Sequence, residues 1–207
     1  MHPATKEFLE FLRMLANSLG AVLIFDEVVT SRLAFHGLQG YHGVKPDMTT
    51  LGKYLGGGLP FGAFGGKREI MEQFDPRAQV RETLHHSGTF NNNIFTMSAA
   101  VAAAGLVTDE EINRINVLGD RAREGINDIV EGTGLSGKLV ATGMGSCIGI
   151  HFYGEEADVL QHLFYYHHLQ RGLWIGQRGF LALSFAHGEE DIEGILTAVK
   201  GFVDEYI

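Results

Sequence analysis

Several things are scarce in this sequence. It has one cysteine, Cys147, so no internal disulfide can form and a reducing, cytoplasmic setting is the expectation. Basic residues are outnumbered, with 16 Lys and Arg against 25 Asp and Glu and a formal net charge of −9. That balance argues against a sequence-independent nucleic-acid binder, which needs a basic face. No apolar run approaches the roughly 18 residues of a membrane span. The Met1-His2-Pro3 start lacks the basic and apolar regions of a signal peptide. There is no Pro- or Ser-rich linker, repeat or low-complexity tract, so the parts of the chain are expected to pack together. What remains is an ordinary globular composition, 45% apolar and 20% charged. At 207 residues such a chain can bury roughly 70% of the surface its unfolded form exposes. Glycine is the exception. The 28 glycines are about twice the usual share of roughly 7%, and many of them lie in tight clusters.

The apolar pattern predicts an α/β beginning. Phe8, Phe11, Leu12, Leu15 and Leu19 recur at helical spacing, with Thr5 placed to cap the start and Gly20 to stop the end. Residues 21 to 25 form an apolar run of strand length, expected to be buried in a parallel sheet. A loop rich in Gly and His follows over 31 to 46, then short strands at 48 to 51 and 61 to 65, and a short helix at 67 to 74. Residues 76 to 90 are polar and irregular. Helices fit 93 to 107 and 109 to 131. After Gly132 the pattern shifts to strands at 138 to 142 and 146 to 152, a helix at 155 to 170, strands at 172 to 175 and 180 to 185, and a final helix at 189 to 205. Two domains are therefore expected, 1–132 and a small α+β domain over 133–207.

Two ionisable residues stand where strands end. Asp26 follows the first strand and Lys53 the second. Ligands of open α/β sheets bind at the carboxyl ends of strands, so both would face one crevice. A lysine in a partly apolar pocket is a usable nucleophile toward aldehydes. The plainer alternative, a loop-capping Asp26 and a solvated Lys53, is equally compatible with the spacing. The ten histidines show no metal-ligand spacing, since the adjacent pairs His85-His86 and His167-His168 make poor chelates. They are expected at the surface and at interfaces, and no dedicated metal site is expected. Phe164, Tyr165 and Tyr166 read as packing residues. The clusters Gly56-Gly57-Gly58 and Gly62 to Gly66 fit neither Walker A nor the dinucleotide fingerprint, and suggest close backbone approach and positive φ.

Three segments carry a family resemblance: Leu23-Ile24-Phe25-Asp26-Glu27-Val28, Pro46-Asp47-Met48-Thr49-Thr50-Leu51-Gly52-Lys53, and Gly56 through Gly66 with Leu59-Pro60-Phe61 between the glycine clusters. In order and spacing they resemble the class III aminotransferases, which are fold-type I pyridoxal phosphate (PLP) enzymes. The wording is nearest the glutamate-1-semialdehyde aminomutase branch. Ser87-Gly88-Thr89-Phe90 is similar to a later Gly-Thr segment of the family.

The resemblance implies a set of roles. Lys53 would be the Schiff-base lysine and proton shuttle, and Asp26 the carboxylate that pairs with the pyridine nitrogen. Val28 would pack on one ring face, and Glu27 would lie near the ring oxygen. Thr89 would bind the phosphate of a neighbouring subunit's cofactor, which implies a homodimer. Arg178 could recognise a substrate carboxylate, though an ordinary surface arginine is the competing reading. Arg32 departs from the family's frequent glycine near Ser31. The implied fold is a truncated PLP-transferase type I fold, a partial, parallel-rich sheet with helices plus the small α+β domain. Relatives are roughly twice as long, and the absent half would supply the glycine-rich phosphate loop. Two classes of function follow: a PLP-dependent aminotransferase or aminomutase completed by a dimer or partner chain, or a cofactor-free enzyme or assembly subunit on the same scaffold.

Overall fold

The computed structural model describes residues 1–78 and 82–206. The chain divides into two compact units, one of Ala4–Asp109 and the other of Met1–Pro3 with Glu110–Ile207.

The first unit opens with α1 (Lys6–Leu19), and its ends are the ones the sequence predicts. The Thr5 side chain accepts a hydrogen bond from the Phe8 amide, and Gly20 takes the left-handed conformation that ends the helix. Next comes the sheet β1 (Ile24–Asp26), β2 (Met48–Gly52) and β3 (Gly62–Gly66), in spatial order β1-β2-β3. The loop expected over 31 to 46 also holds a 3-10 turn, Thr30–Arg32, and the short helix α2 (Gly37–His42). After β3 come α3 (Arg68–Met71), a 3-10 turn Glu72–Phe74, and α4 (Ile94–Ala104). Of the irregular stretch expected over 76 to 90, residues 79 to 81 lie outside the described residues.

Two expectations about this sheet are corrected. It is not parallel-rich: β1 and β2 run parallel but β2 and β3 run antiparallel. The connection from Lys53 to Phe61 is too short for the crossover of about a dozen residues that parallel pairing needs. Nor is the first strand buried, because β1 is the edge of the three-stranded sheet and Ile24 is 52% exposed. The sheet is instead anchored by charge. Buried Asp47, just before β2, accepts hydrogen bonds from Arg13 of α1 (2.8 Å) and the Leu23 amide (2.7 Å), and it pairs with Lys67 after β3 (2.7 Å). Its hydrogen bonds with Lys67, the Leu23 amide and Arg13, in that order, hold its carboxyl far below the usual carboxylate range.

The second unit carries the larger core. Helix α5 (Asp109–Val130) presents Ile115, Leu118, Ala122, Ile126 and Val130 to an antiparallel sheet of β4 (Leu139–Met144), β5 (Cys147–Phe152) and β6 (Phe180–Ala182). Helices α6 (Ala157–Gln170) and α7 (Glu189–Tyr206) complete that core through Phe164, Ile192, Val199 and Phe202. Asn127 of α5 pairs with both backbone groups of Ala141, donating to its carbonyl and accepting from its amide (3.0 and 2.9 Å). This ties the helix to β4 in one register. The sequence boundary at 132 leaves α5 with the first segment. The compact units divide earlier because the apolar face of α5 is committed to this core.

The strand expected at 172 to 175 is absent. Gly172 turns with φ +78°, and the Leu173 amide donates to the His168 carbonyl at the end of α6. His167 and His168 are also corrected, because both are buried rather than superficial. His167 Nε2 lies 2.9 Å from the Ala198 carbonyl, and His168 Nδ1 lies 2.8 Å from the Phe164 carbonyl. Each ring thus finds a backbone acceptor inside the core.

Candidate functional site

The site residues of the first unit come together where β1 and β2 end. Parallel pairing aligns Asp26 with Thr50, so the end of β1 lies beside the last residues of β2, and Lys53 follows directly. Asp26 Oδ1 accepts hydrogen bonds from the Thr50 hydroxyl (2.9 Å) and the Val28 amide (3.0 Å). The Val28 amide, then the Thr50 hydroxyl, with a smaller contribution from the Lys53 charge, hold the Asp26 carboxyl below its ordinary value. Asp26 is therefore an ionised, exposed carboxylate whose orientation is set by its own strand pair. Thr50 lies in the segment that leads to Lys53, where the sequence alone assigns it no role. Its signal was available in the hydroxyl-bearing Thr49-Thr50 pair just before Leu51-Gly52-Lys53, but the register was needed to show which threonine faces Asp26.

Lys53 is exposed as well, not held in a partly apolar pocket as expected. Its backbone is distinctive. Lys53 has φ +54°, a left-handed conformation shared among the described non-glycine residues only by Asn92. It opens the 3-10 turn Lys53–Gly56. Val28 stands beside Gly52, where a Cβ would lie 3.4 Å from its Cγ1. The apolar residue expected against the cofactor ring therefore sits between the two charged groups in sequence and next to the lysine turn in space.

Glu27 is placed differently from its neighbours. It is 2% exposed. Oε2 accepts from the Thr30 hydroxyl (2.5 Å) and the Leu38 amide (3.0 Å), and Oε1 accepts from the Gln39 amide (2.7 Å). Its carboxylate is thus occupied by the loop and by the first turn of α2. Gly37 is required there, since with φ +70° a Cβ would lie 2.9 Å from Glu27 Oε1. Thr89 is exposed in a turn before α4, beyond Gly88 and next to the fully outward Phe90. It is not brought into contact with Asp26 or Lys53 by any hydrogen bond among the described residues. Arg178 is an exposed residue of the second unit, in the turn that precedes β6.

The residues fit a pyridine-type aldehyde cofactor on the structure's own terms. One ionised carboxylate suits a protonated ring nitrogen, an exposed primary amine suits an aldehyde, and both stand on the same strand ends. Among the described residues no group of His, Cys, Asp and Glu could hold a metal ion, and no helix is long and apolar enough to cross a membrane.

Comparison with known proteins shows the family. Residues 1–198 match the family Aminotransferase class-III. An uncharacterised aminotransferase of Schizosaccharomyces pombe is 42% identical over 213 residues, covering 97% of this chain and 47% of that protein. The β-phenylalanine transaminase of Variovorax paradoxus is 39% identical, covering 97% and 48%. Glutamate-1-semialdehyde aminomutases match too, so the chain is related to both branches rather than to the aminomutase branch alone. Among solved structures, an omega-transaminase from Sphaerobacter thermophilus superposes with a TM-score of 0.91 at 32% identity, covering 99% of this chain and 49% of the other. The chain spans about half the length of the curated relatives it matches. By its matched residues and its fold, it belongs to the class III aminotransferase family.

Proposed function

We propose that this chain carries the lysine half of a PLP-dependent aminotransferase or aminomutase site for a small amino or carbonyl compound. The observation that carries the reading is the pairing of an oriented, ionised Asp26 with an exposed Lys53 at the ends of two parallel strands. When bound, PLP supplies an aldehyde for amine condensation and a ring that accepts the electron pair released at a substrate carbon. Asp26 would hold a proton on the ring nitrogen, and Thr50 and Val28 would keep its carboxylate pointed there. Lys53 would supply the condensing amine and then carry the proton to and from the substrate carbon. The Val28 side chain would meet one face of the ring.

The remaining assignments rest on chemistry and resemblance. Thr89, exposed before α4, would offer its hydroxyl to a phosphate in a neighbouring subunit, so a homodimer or a partner chain would complete the site. Arg178 would pair with a substrate carboxylate through two parallel hydrogen bonds. Glu27 would act on the ring only indirectly, by holding the loop after Asp26 in place.

The test is covalent. Purified chain is incubated with PLP, reduced with borohydride and mapped by peptide mass spectrometry. The expected adduct is on Lys53, and it should be absent from a Lys53→Ala variant that folds normally. Labelling spread evenly over surface lysines would refute the assignment.

A further inference from the structure

Lys53 holds a backbone conformation that side-chain-bearing residues adopt at a cost and keep only where the surroundings over-determine it. Three contacts constrain the turn it begins. At the front, extended Gly52 is packed so that a Cβ would lie 3.1 Å from the Phe61 carbonyl and 3.4 Å from Val28 Cγ1. At the back, Gly57 closes the turn with φ +60°, and its amide donates to the Tyr54 carbonyl (3.1 Å). There a Cβ would lie 2.5 Å from the Ala99 carbonyl oxygen, so the turn docks directly on the α4 backbone.

The third contact is a side-chain one. Half-buried Tyr54, the residue after Lys53, has the Arg32 guanidinium carbon 5.9 Å from its ring centroid. Arg32 belongs to the 3-10 turn Thr30–Arg32. The buried Glu27 carboxylate anchors that turn by accepting from Thr30, while the Glu27 carbonyl accepts from the Ser31 amide (3.0 Å). A continuous set of contacts therefore runs from the residue after Asp26, through Arg32 and Tyr54, to Lys53.

We propose that Arg32 and Tyr54 are positioning residues for Lys53: the guanidinium seated on the phenol ring ties the lysine turn to the loop after Asp26, and so sets the direction in which the amine leaves the backbone. Neither residue touches the reacting atoms. Both act through the conformation of Lys53, and the inference rests on Lys53 being the amine that condenses with an aldehyde, losing water. Burial pushes the Tyr54 phenol up, opposed by the neighbouring Ser31 hydroxyl and then by the Arg32 charge, with Glu27 adding to the rise. The Arg32 guanidinium carbon, 5.9 Å from the ring centroid, is placed to act on that phenol.

The experiment uses the full chain with PLP as the probe, limiting reagent, borohydride reduction, and peptide mapping. Labelling at Lys53 is expressed relative to labelling at the exposed Lys138 of the other unit. Arg32→Met removes the cation and Tyr54→Leu removes the ring. Each should lower the Lys53-to-Lys138 ratio roughly two- to fivefold, the size of a partly exposed cation–aromatic interaction. Arg32→Lys and Tyr54→Phe, which keep a cation and a ring, should restore most of it. Ultraviolet titration of Arg32→Met should show the Tyr54 phenol ionising at higher pH than in the parent. Circular dichroism verifies folding, and two independent lesions keep the test open if one variant is unstable. Parental ratios in folded Arg32→Met and Tyr54→Leu overturn the positioning role while leaving Lys53 as the condensing amine. A parent chain that labels Lys53 no better than Lys138 overturns the reading of Lys53 itself, and the positioning role with it.

Discussion

His168 should make the second unit lose stability as the solution is acidified from neutrality. The ring is 1% exposed, inside the α6–α7 core. Burial is the main cause that pushes its pKa down from 6.5 to about 4, and the nearby His167 and Arg171 charges add to the drop, against the opposing hydrogen bond to the Phe164 carbonyl. In the unfolded chain the imidazole takes up its proton near pH 6.5, whereas in the folded chain it does so only near pH 4. The unfolded state therefore binds more protons throughout that interval, and stability falls as pH falls. The contribution is fully present above pH 6.5 and lost by about pH 4. At about 1.4 kcal/mol per pKa unit, a difference of 6.5 to about 4 corresponds to about 3 kcal/mol.

Two measurements check this. Imidazole resonances followed by NMR should show His168 titrating near pH 4, well below the ordinary 6.5. Urea unfolding at a series of pH values should give a steeper acid loss in the parent than in His168→Gln, which keeps a donor for the Phe164 carbonyl but cannot titrate. Asp47 does not confuse the comparison, since its carboxyl is depressed and its contribution is lost only below the ordinary carboxylate range. Identical slopes in parent and His168→Gln between pH 6.5 and 4 would refute the argument.

Two further outcomes follow from local geometry. Gly57→Ala should destabilise the first unit by about 1–2 kcal/mol from the left-handed backbone alone, and by more because its Cβ would meet the Ala99 carbonyl; a melting temperature equal to the parent's would contradict the close docking of the lysine turn on α4. Glu27→Ala should cost about 3 kcal/mol or more, since it strands the Leu38 and Gln39 amides inside the unit. Hydrogen exchange over residues 28 to 42 should rise with it, and unchanged protection there would show that the loop does not depend on this carboxylate.

What the sequence makes legible in this protein depends on the range of the interactions involved. Helix α1 was legible down to its caps, because Thr5 and Gly20 act on the backbone of their own turn. The strand–Asp26 and strand–Lys53 junctions were legible for the same reason, and so was the need for glycine at position 57, although not the partner that demands it. Pairing direction was not legible, so the antiparallel β3 and the edge position of β1 came only with the fold. Burial was misjudged in both directions. An apolar run such as Val22 to Ile24 is as hydrophobic exposed as buried, and His167 and His168 look like surface residues until carbonyls from Ala198 and Phe164 meet their rings.

By itself, then, the sequence determined what is local: the helix ends, the strand-length runs, and the residue types at the strand ends that mark the family. Only the tertiary structure decided what each side chain meets. It turned Glu27 inward onto amides eleven and twelve residues away, gave Asp26 its partner in Thr50, and set Arg32 over Tyr54 beside the lysine. Those contacts join residues that chain order separates, and their free energy exists only once β1, β2 and the intervening loop have closed on one another.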